Sequence, residues 1–242
     1  PGKPLQLIHD KPLIQHVYER VKRADKVEDV YVATDNEEIY RVVESFGGKA
    51  VMTLTSHKSG TDRIAEALLK IEETLSGSLK SEIIVNVQGD EPMIKPQMVN
   101  EVVEVLLEDS RADIGTLVKK IEDLAEVTNP NIVKAVFNKE GFALFFSRSP
   151  IPYYRDLPTI SDKSKECNRG VNIYKHIGIY SYRRKCLLDL VRLPPSPLEE
   201  AEKLEQLRAL ENGFRIKVKI TEYETIGVDT PEDIERVRRC LS

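Results

Sequence analysis

Apolar and polar positions along the chain alternate between a helical and a strand period. Leu13, Ile14, Val17 and Val21 share one helical face, and Val30-Tyr31-Val32-Ala33-Thr34 then forms a short apolar run of strand length. A second helical stripe of Ile39, Val42, Val43 and Phe46 stops at Gly47-Gly48, where glycine lets the backbone leave the helix. Lys49 to Thr53 reads as a strand, and Ile64, Leu68 and Ile71 mark a third helix. Ile83-Ile84-Val85-Asn86-Val87 is the most strongly marked strand, and Pro96 suits the first turn of a helix carrying Val99, Val102, Val103 and Leu106. Repeated βα units with short apolar strands predict an α/β fold with a mainly parallel sheet covered on both faces.

The pattern changes in the second half. Val133 to Phe137 and Phe142 to Phe146 flank a turn at 138–141 and predict a β-hairpin. Residues 155–173 are polar without periodicity and read as a loop, and Tyr174 to Tyr182 as a strand. Ser196 and Glu199 fit a capping box that opens a helix running to Glu211, with a stop at Gly213. Thr230-Pro231-Glu232-Asp233 opens the last helix. The expectation is a single domain over 1–242 in which 143–182 forms an inserted hairpin lobe facing substrate or a second subunit.

Composition removes several classes of function. The 242 residues are 40% hydrophobic, enough to bury a core of one domain, and contain no run of 18 apolar positions that would span a membrane. The net charge of −4 comes with no block of like charge, which argues against a nucleic-acid partner. Three cysteines, Cys167, Cys186 and Cys240, are odd in number and widely spaced; they fit neither a disulfide framework nor a zinc site and predict a reducing cytoplasm. The chain starts at Pro1, not Met, so its native N-terminus is expected to lie upstream.

Against that frame of strands, Gln88-Gly89-Asp90-Glu91-Pro92 is the clearest candidate site. It follows the best-marked strand, and ligands of open sheets sit beyond the carboxyl ends of strands. Gly89 permits close backbone approach, and Asp90 is a hard oxygen ligand suited to Mg²⁺; the competing reading is an acidic turn. Asp229, in Gly227-Val228-Asp229-Thr230, stands at the end of another apolar segment, where it serves either as a capping carboxylate or as a second ligand sharing a metal with Asp90. Lys3 beside Gly2 can neutralise phosphate charge, or be a solvated terminal lysine. In Ser56 to Arg63, Ser59 and Gly60 can offer backbone donors and Arg63 a charge to a base or phosphate; the competing reading is a helix cap at Ser59 or Thr61. Arg148 ends a strand and can bind a carboxylate bidentately. His176 and Tyr180 are four apart and face one side of a strand, while Glu205-Gln206 within a helix reads as a solvated face.

Taken together, these segments resemble the 3-deoxy-manno-octulosonate (Kdo) cytidylyltransferases, or CMP-Kdo synthetases. The matching stretches are PGKPL (1–5), ATD (33–35), SGTDR (59–63), VNVQGDEP (85–92), NPNIVKAV (129–136), ALFFSRSPIP (143–152), HIGIYSY (176–182), SPLEEAEKLEQLRALENG (196–213) and GVDTPEDIERV (227–237), which span nearly the whole chain. The resemblance implies a Rossmann-like nucleotidyltransferase sheet of glycosyltransferase-A type and the reaction of CTP with Kdo to give CMP-Kdo and pyrophosphate, for lipopolysaccharide assembly. It implies Mg²⁺ on Asp90 and Asp229, Lys3 on the CTP phosphates, and Ser59, Gly60 and Arg63 on the cytosine or ribose side. It implies that Gln88, Arg148, His176, Tyr180, Glu205 and Gln206 line the sugar-acid pocket and that the protein is a homodimer. In the family a strand and a basic loop of the type IPARxxSTRLPGK lead into the PGKPL stretch, so Pro1-Gly2-Lys3 is expected to be the tail of a triphosphate loop whose first part precedes this sequence. Two alternatives stay open: a cytidylyltransferase for another acid, such as a sialic acid or 8-amino-Kdo, and a non-catalytic nucleotide-binding homologue.

Overall fold

The computed structural model describes residues 2–57, 59–75, 82–155, 172–228 and 230–241. Pro1, Asp229, Cys167 and most of the polar 155–173 stretch therefore lie outside the described residues. A single 3₁₀ turn, Lys3–Leu5, is entered through Gly2 at φ 92°, a left-handed conformation that glycine adopts without steric cost. A two-stranded antiparallel ribbon of β1 (Leu7–Ile8) and β2 (Lys11–Pro12) leads into α1 (Leu13–Val21). Strand β3 (Tyr31–Thr34) runs through α2 (Glu37–Ser45) to β4 (Lys49–Met52), and the two strands pair in parallel. Helix α3 (Gly60–Thr74) is followed by β5 (Ile83–Asn86), α4 (Pro96–Glu108), β6 (Ile114–Lys120) and the short α5 (Ala125–Thr128). The hairpin of β7 (Lys134–Phe137) and β8 (Ala143–Ser147) precedes β9 (Tyr174–Arg183), α6 (Arg184–Leu190), α7 (Pro197–Glu202), α8 (Gln206–Glu211), β10 (Ile216–Ile220) and α9 (Pro231–Cys240).

Among the described residues the central sheet has six strands and is mixed. Strands β10 and β6 are parallel, whereas β9 is antiparallel to each of its partners. One edge of β9 follows β6; the other is shared, β5 taking Tyr180–Arg183 and β7 taking Tyr174 and Lys175. The α/β architecture is as expected, and among the described residues parallel pairing is found in β3–β4 and β6–β10. The 143–182 region, expected as a lobe, supplies β8 and β9 to this sheet.

Two apolar layers cover the sheet. On one side α1, α4 and α9 contribute Leu13, Val17, Val21, Met98, Val99, Val102 and Val237, packed with Leu117, Ile177 and Ile179. On the other, Leu68 of α3, Leu187 and Leu190 of α6 and Leu207 of α8 pack on Ile114, Val118, Phe146, Tyr182 and Ile216. Helix entries follow local chemistry: the Asn36 side chain accepts from Ile39 N, Ser59 from Asp62 N, and Thr230 and Asp233 form a reciprocal box. No helix among the described residues is long and apolar enough to cross a membrane.

One expectation fails. Residues 196–211 are not a single helix: Lys203 takes a left-handed φ of 54° and separates α7 from α8. The capping box at Ser196 and Glu199 forms as expected, and Glu199 then reaches across the break to hold Arg208 at 2.5 and 2.7 Å. That largely buried bidentate pair fixes the two short helices to each other, where neither six-residue helix would persist alone.

Candidate active site

The turn after β5 is tied to the chain's C-terminal part. Val228 N donates to the Asp90 carbonyl at 2.9 Å, and Thr225 Oγ1 donates to Glu91 Oε2 at 3.2 Å. The Asp90 carboxylate is half-buried with Lys3 Nζ 3.9 Å away, a solvent-open pair of small stabilising effect. Burial pushes the neighbouring Glu91 carboxyl up to about 7, against the Thr225 hydrogen bond and helped by the negative Asp90. A Cβ at Gly89 would stand 3.3 Å from Ile14 Cδ1, so glycine lets the turn lie close on α1. Gln88 is exposed at its start. Asp229 lies outside the described residues, one position beyond Val228. Among the described residues no three His, Cys, Asp or Glu side chains gather to hold a metal. Mg²⁺ does not need such a cage, because it binds through one or two carboxylates and keeps water and substrate phosphate oxygens in its shell. The donor at Asp90, hard and partly exposed, fits that ion.

The SGTDR segment is positioned from three sides. Ser59 is its cap, and Gly60 begins α3 with room for an ordinary contact to Asn86. Arg63 donates to Thr53 Oγ1 at 2.6 Å and to Asp35 Oδ2 at 2.9 Å, which joins α3 to the ends of β4 and β3. The loop before Ser59 is held by Glu66, which accepts from Leu54 N at 2.9 Å, pairs with Lys70 at 2.7 Å and hydrogen-bonds His57. Burial alone would raise the Glu66 carboxyl; the bonds from Lys70, Leu54 N and His57 outweigh it and hold it near about 2. Its folded value is depressed below the ordinary 4.5, so its stabilising contribution is present above pH 4.5 and is lost as pH falls through about 2. Urea melts of Glu66→Gln should show a loss of about 1 kcal/mol at pH 7 that shrinks towards zero near pH 2 to 3. A deficit that stays constant with pH would mean that Glu66 acts through packing.

Two of the sugar-acid candidates stand on β9, and Glu205 lies close enough to affect Tyr180. His176 and Tyr180 lie on one side of the strand, ring centroids 5.3 Å apart, with Phe146 5.0 Å from His176 and Tyr182 stacked 5.9 Å from Tyr180. Between them β9 bulges against β6: Thr116 pairs with Tyr180, but Leu117 pairs with Ile177. The buried Thr116 hydroxyl closes this bulge. Its oxygen lies 2.8 Å from the Ile179 carbonyl and 2.8 Å from His176 Nε2; when the hydroxyl donates to that carbonyl, Nε2 is its donor and Nδ1 is left as an acceptor. Burial pushes the His176 imidazole down to about 3 and the Tyr180 and Tyr182 phenols up, so all three are neutral near pH 7. Glu205 and Gln206 are not on a solvated face. Gln206 is buried, and burial raises the Glu205 carboxyl, which accepts from Thr61 Oγ1 at 2.9 Å. The break at Lys203 is the physical reason: a continuous helix would not present position 205 as the entrance of a second, inward-facing turn. Arg148 follows β8 and is fixed by Glu202 at the end of α7.

The structure thus gathers two groups. Lys3, Asp90 and the 223–228 segment form one; His176, Tyr180 and Glu205 form the other, with Arg148 held apart on Glu202 and Pro130. They share β9, since the Glu91 Oε1 lies 3.9 Å from where a Gly178 Cβ would stand, and SGTDR joins the second group through Thr61 and Glu205. Hydrophobic pattern did not single out Thr116, Glu202 or Lys134, and Glu91 entered only as part of the Gln88–Pro92 turn. Only Lys134 left a signal, a lysine inside the apolar run Ile132-Val133-Lys134-Ala135-Val136.

Comparison with known proteins agrees with the fold. Residues 1–220 match the cytidylyltransferase family model. The chain is 51% identical to 3-deoxy-manno-octulosonate cytidylyltransferase of Thermodesulfovibrio yellowstonii over all of its length and 92% of the relative's. It is 50% identical to the enzyme of the same name from Geotalea uraniireducens, over 99% of this chain and 92% of that one. A solved CMP:2-keto-3-deoxy-manno-octonic acid synthetase complexed with CTP superposes with a TM-score of 0.87 at 42% identity, covering 100% of this chain and 92% of that one. A 4-diphosphocytidyl-2C-methyl-D-erythritol synthase, 12% identical with a TM-score of 0.63 over 100% of this chain and 94% of that one, shares the fold. The chain belongs to the cytidylyltransferase family, among the 3-deoxy-manno-octulosonate cytidylyltransferases.

Proposed function

We propose that this protein transfers CMP from CTP to Kdo, giving CMP-Kdo and pyrophosphate, and so supplies activated sugar for lipopolysaccharide assembly. The observation that supports this reading is that the turn carrying Asp90, paired with Lys3, reaches β9 through Glu91 at Gly178, the same strand that carries His176 and Tyr180. The anomeric hydroxyl attacks the α-phosphorus in line as the bond to the β-phosphate oxygen breaks, and the hydroxyl proton passes to solvent. Lys3 neutralises phosphate charge, and Ser59, Gly60 and Arg63 hold the nucleoside end. Arg148 takes the sugar carboxylate, and His176 Nδ1 accepts from a sugar hydroxyl. Gln88, Glu205 and Gln206 complete the acceptor pocket. A neutral His176 this hard to protonate is a weak base, so positioning and charge neutralisation account for the rate. Mg²⁺, held by Asp90 and Asp229, would neutralise the α-phosphate and acidify the attacking hydroxyl. The reading includes a cytoplasmic setting, supported by cysteines that are free among the described residues, and a homodimer, inferred from the family resemblance alone.

Pyrophosphate release with CTP should be at least about tenfold faster with Kdo than with 8-amino-Kdo or a sialic acid at equal concentration. Preference for another acid would reassign the acceptor. Absence of release with every acid would leave a nucleotide-binding homologue.

A further inference from the structure

Lys134 is fully buried in β7, with β8 on one side and β9 on the other. Its ammonium has three donors, and three backbone carbonyls receive them: Asn129 at 3.0 Å, Ile132 at 2.6 Å and Arg148 at 2.5 Å. Two of these belong to the turn before β7. The third is the main chain of the residue assigned to the sugar carboxylate. A buried ammonium is costly even when its hydrogen bonds are complete, and burial does lower the Lys134 pKa, with Glu202 opposing that shift and Arg148 adding to it. Neutral residues could fill the same space at lower cost.

The other ties of Arg148 run to the same two places. Its amide donates to Glu202 Oε2 at 2.9 Å, its Nε to the Glu202 carbonyl at 2.7 Å, and its Nη1 to the Pro130 carbonyl at 2.9 Å. Ser147, which stands opposite Lys134 on the ladder, donates to Glu202 Oε1 at 2.6 Å. The guanidinium is therefore fixed at its Nε corner. Among the described residues, the donors still available are one on Nη1 and both on Nη2, the end-on edge that a carboxylate can bridge.

We propose that Lys134 and Glu202 form a clamp that aims this end-on edge of Arg148 at the carboxylate of the sugar acid, which makes both of them positioning residues of the acceptor pocket. The clamp rests on the assignment of Arg148 under the proposed function. Lys134 holds the backbone of residue 148 to the 129–132 turn, Glu202 holds its amide and Nε, and the two opposite charges lie on either side of the strand end. Loss of either side chain leaves the guanidinium on the Glu202 and Pro130 carbonyls but loosens the backbone that carries it, and so its aim.

The test uses steady-state kinetics of the full chain with CTP and Kdo. Lys134→Met keeps the apolar stem and removes the donors; it should raise KM for Kdo about tenfold or more while KM for CTP stays within about twofold. Added to Arg148→Ala, it should raise KM for Kdo no more than about twofold further, because the group it aims is gone. A folded Lys134→Met protein with wild-type KM for Kdo, or with both KM values raised alike, overturns the clamp. Should Lys134→Met not fold, Glu202→Gln decides: one amide oxygen cannot replace both carboxylate oxygens, and an increase in KM for Kdo of about fivefold is expected, no change being the contrary result. Arg148→Ala alone separates the two levels. If it leaves KM for Kdo unaltered, the carboxylate assignment fails; if it impairs Kdo binding while Lys134→Met and Glu202→Gln do not, only the clamp fails.

Discussion

Replacing Asp90 with asparagine is expected to lower kcat by roughly 10²- to 10³-fold and to leave thermal unfolding within about 1 kcal/mol of the wild type. The two effects separate because they use different atoms. The fold depends on the Asp90 carbonyl, which receives Val228 N, and asparagine keeps that carbonyl. The proposed reaction depends on the carboxylate charge, half-buried and beside Lys3, which asparagine removes at nearly constant shape. Lys3 loses a partner 3.9 Å away in a solvent-open setting, which changes stability little. The same variant should need more Mg²⁺ for half-maximal rate, since one of the two carboxylates proposed to hold the ion is gone. Steady-state rates across a Mg²⁺ titration and a thermal melt measure both. A fully active Asp90→Asn protein would remove Asp90 from the metal site.

The second large effect is expected at Arg148. Arg148→Ala should raise KM for Kdo by about 10²-fold and leave KM for CTP within about twofold, because two charge-assisted hydrogen bonds to a carboxylate are worth roughly 3 kcal/mol together. Some stability goes with it, since the guanidinium also satisfies the carbonyls of Pro130 and Glu202. Lysine should not rescue binding: it carries the charge but lacks the planar fork, and one ammonium cannot serve two carbonyls and two carboxylate oxygens in the same geometry. Initial rates with each substrate varied at saturating partner give the split. An effect confined to CTP would place Arg148 on the nucleotide side.

Parts of the fold were legible because their signals are local. The helix openings at Ser59 and Thr230 are written in the capping residues themselves, and the β7–β8 hairpin in its turn. Strands β6 and β10 were harder to find: Ile114-Gly115-Thr116-Leu117-Val118-Lys119-Lys120 mixes a glycine, a threonine and two lysines, and its burial depends on neighbours far along the chain. Gly115 has such a neighbour, since a Cβ there would stand 2.4 Å from Ser181 Oγ on β9. The break at Lys203 left no local mark, as lysine rarely takes a left-handed backbone and is not a stop signal. For that reason Glu205 and Gln206 looked solvated by pattern, and only resemblance placed them in the pocket. The acid-side residues were visible as residue types; what holds them was not, because Thr116, Glu202 and Lys134 act through contacts with distant backbone.

The sharing of β9 among three partners also bears on when the site comes into being. Ile83 pairs with Arg183, a hundred residues later, so β5 and β6 are made long before the strand that lies between them. On a ribosome the turn carrying Asp90 emerges early, yet its neighbour Gly178 and the His176 ring arrive only with that late strand. Pairings over such separations close slowly, because the entropy of the intervening loop is lost before the contacts form. Until β9 inserts, two apolar strand edges stand open. The growing chain is most exposed to aggregation in that interval, and substrate can offer it no help, since neither half of the pocket has yet met the other.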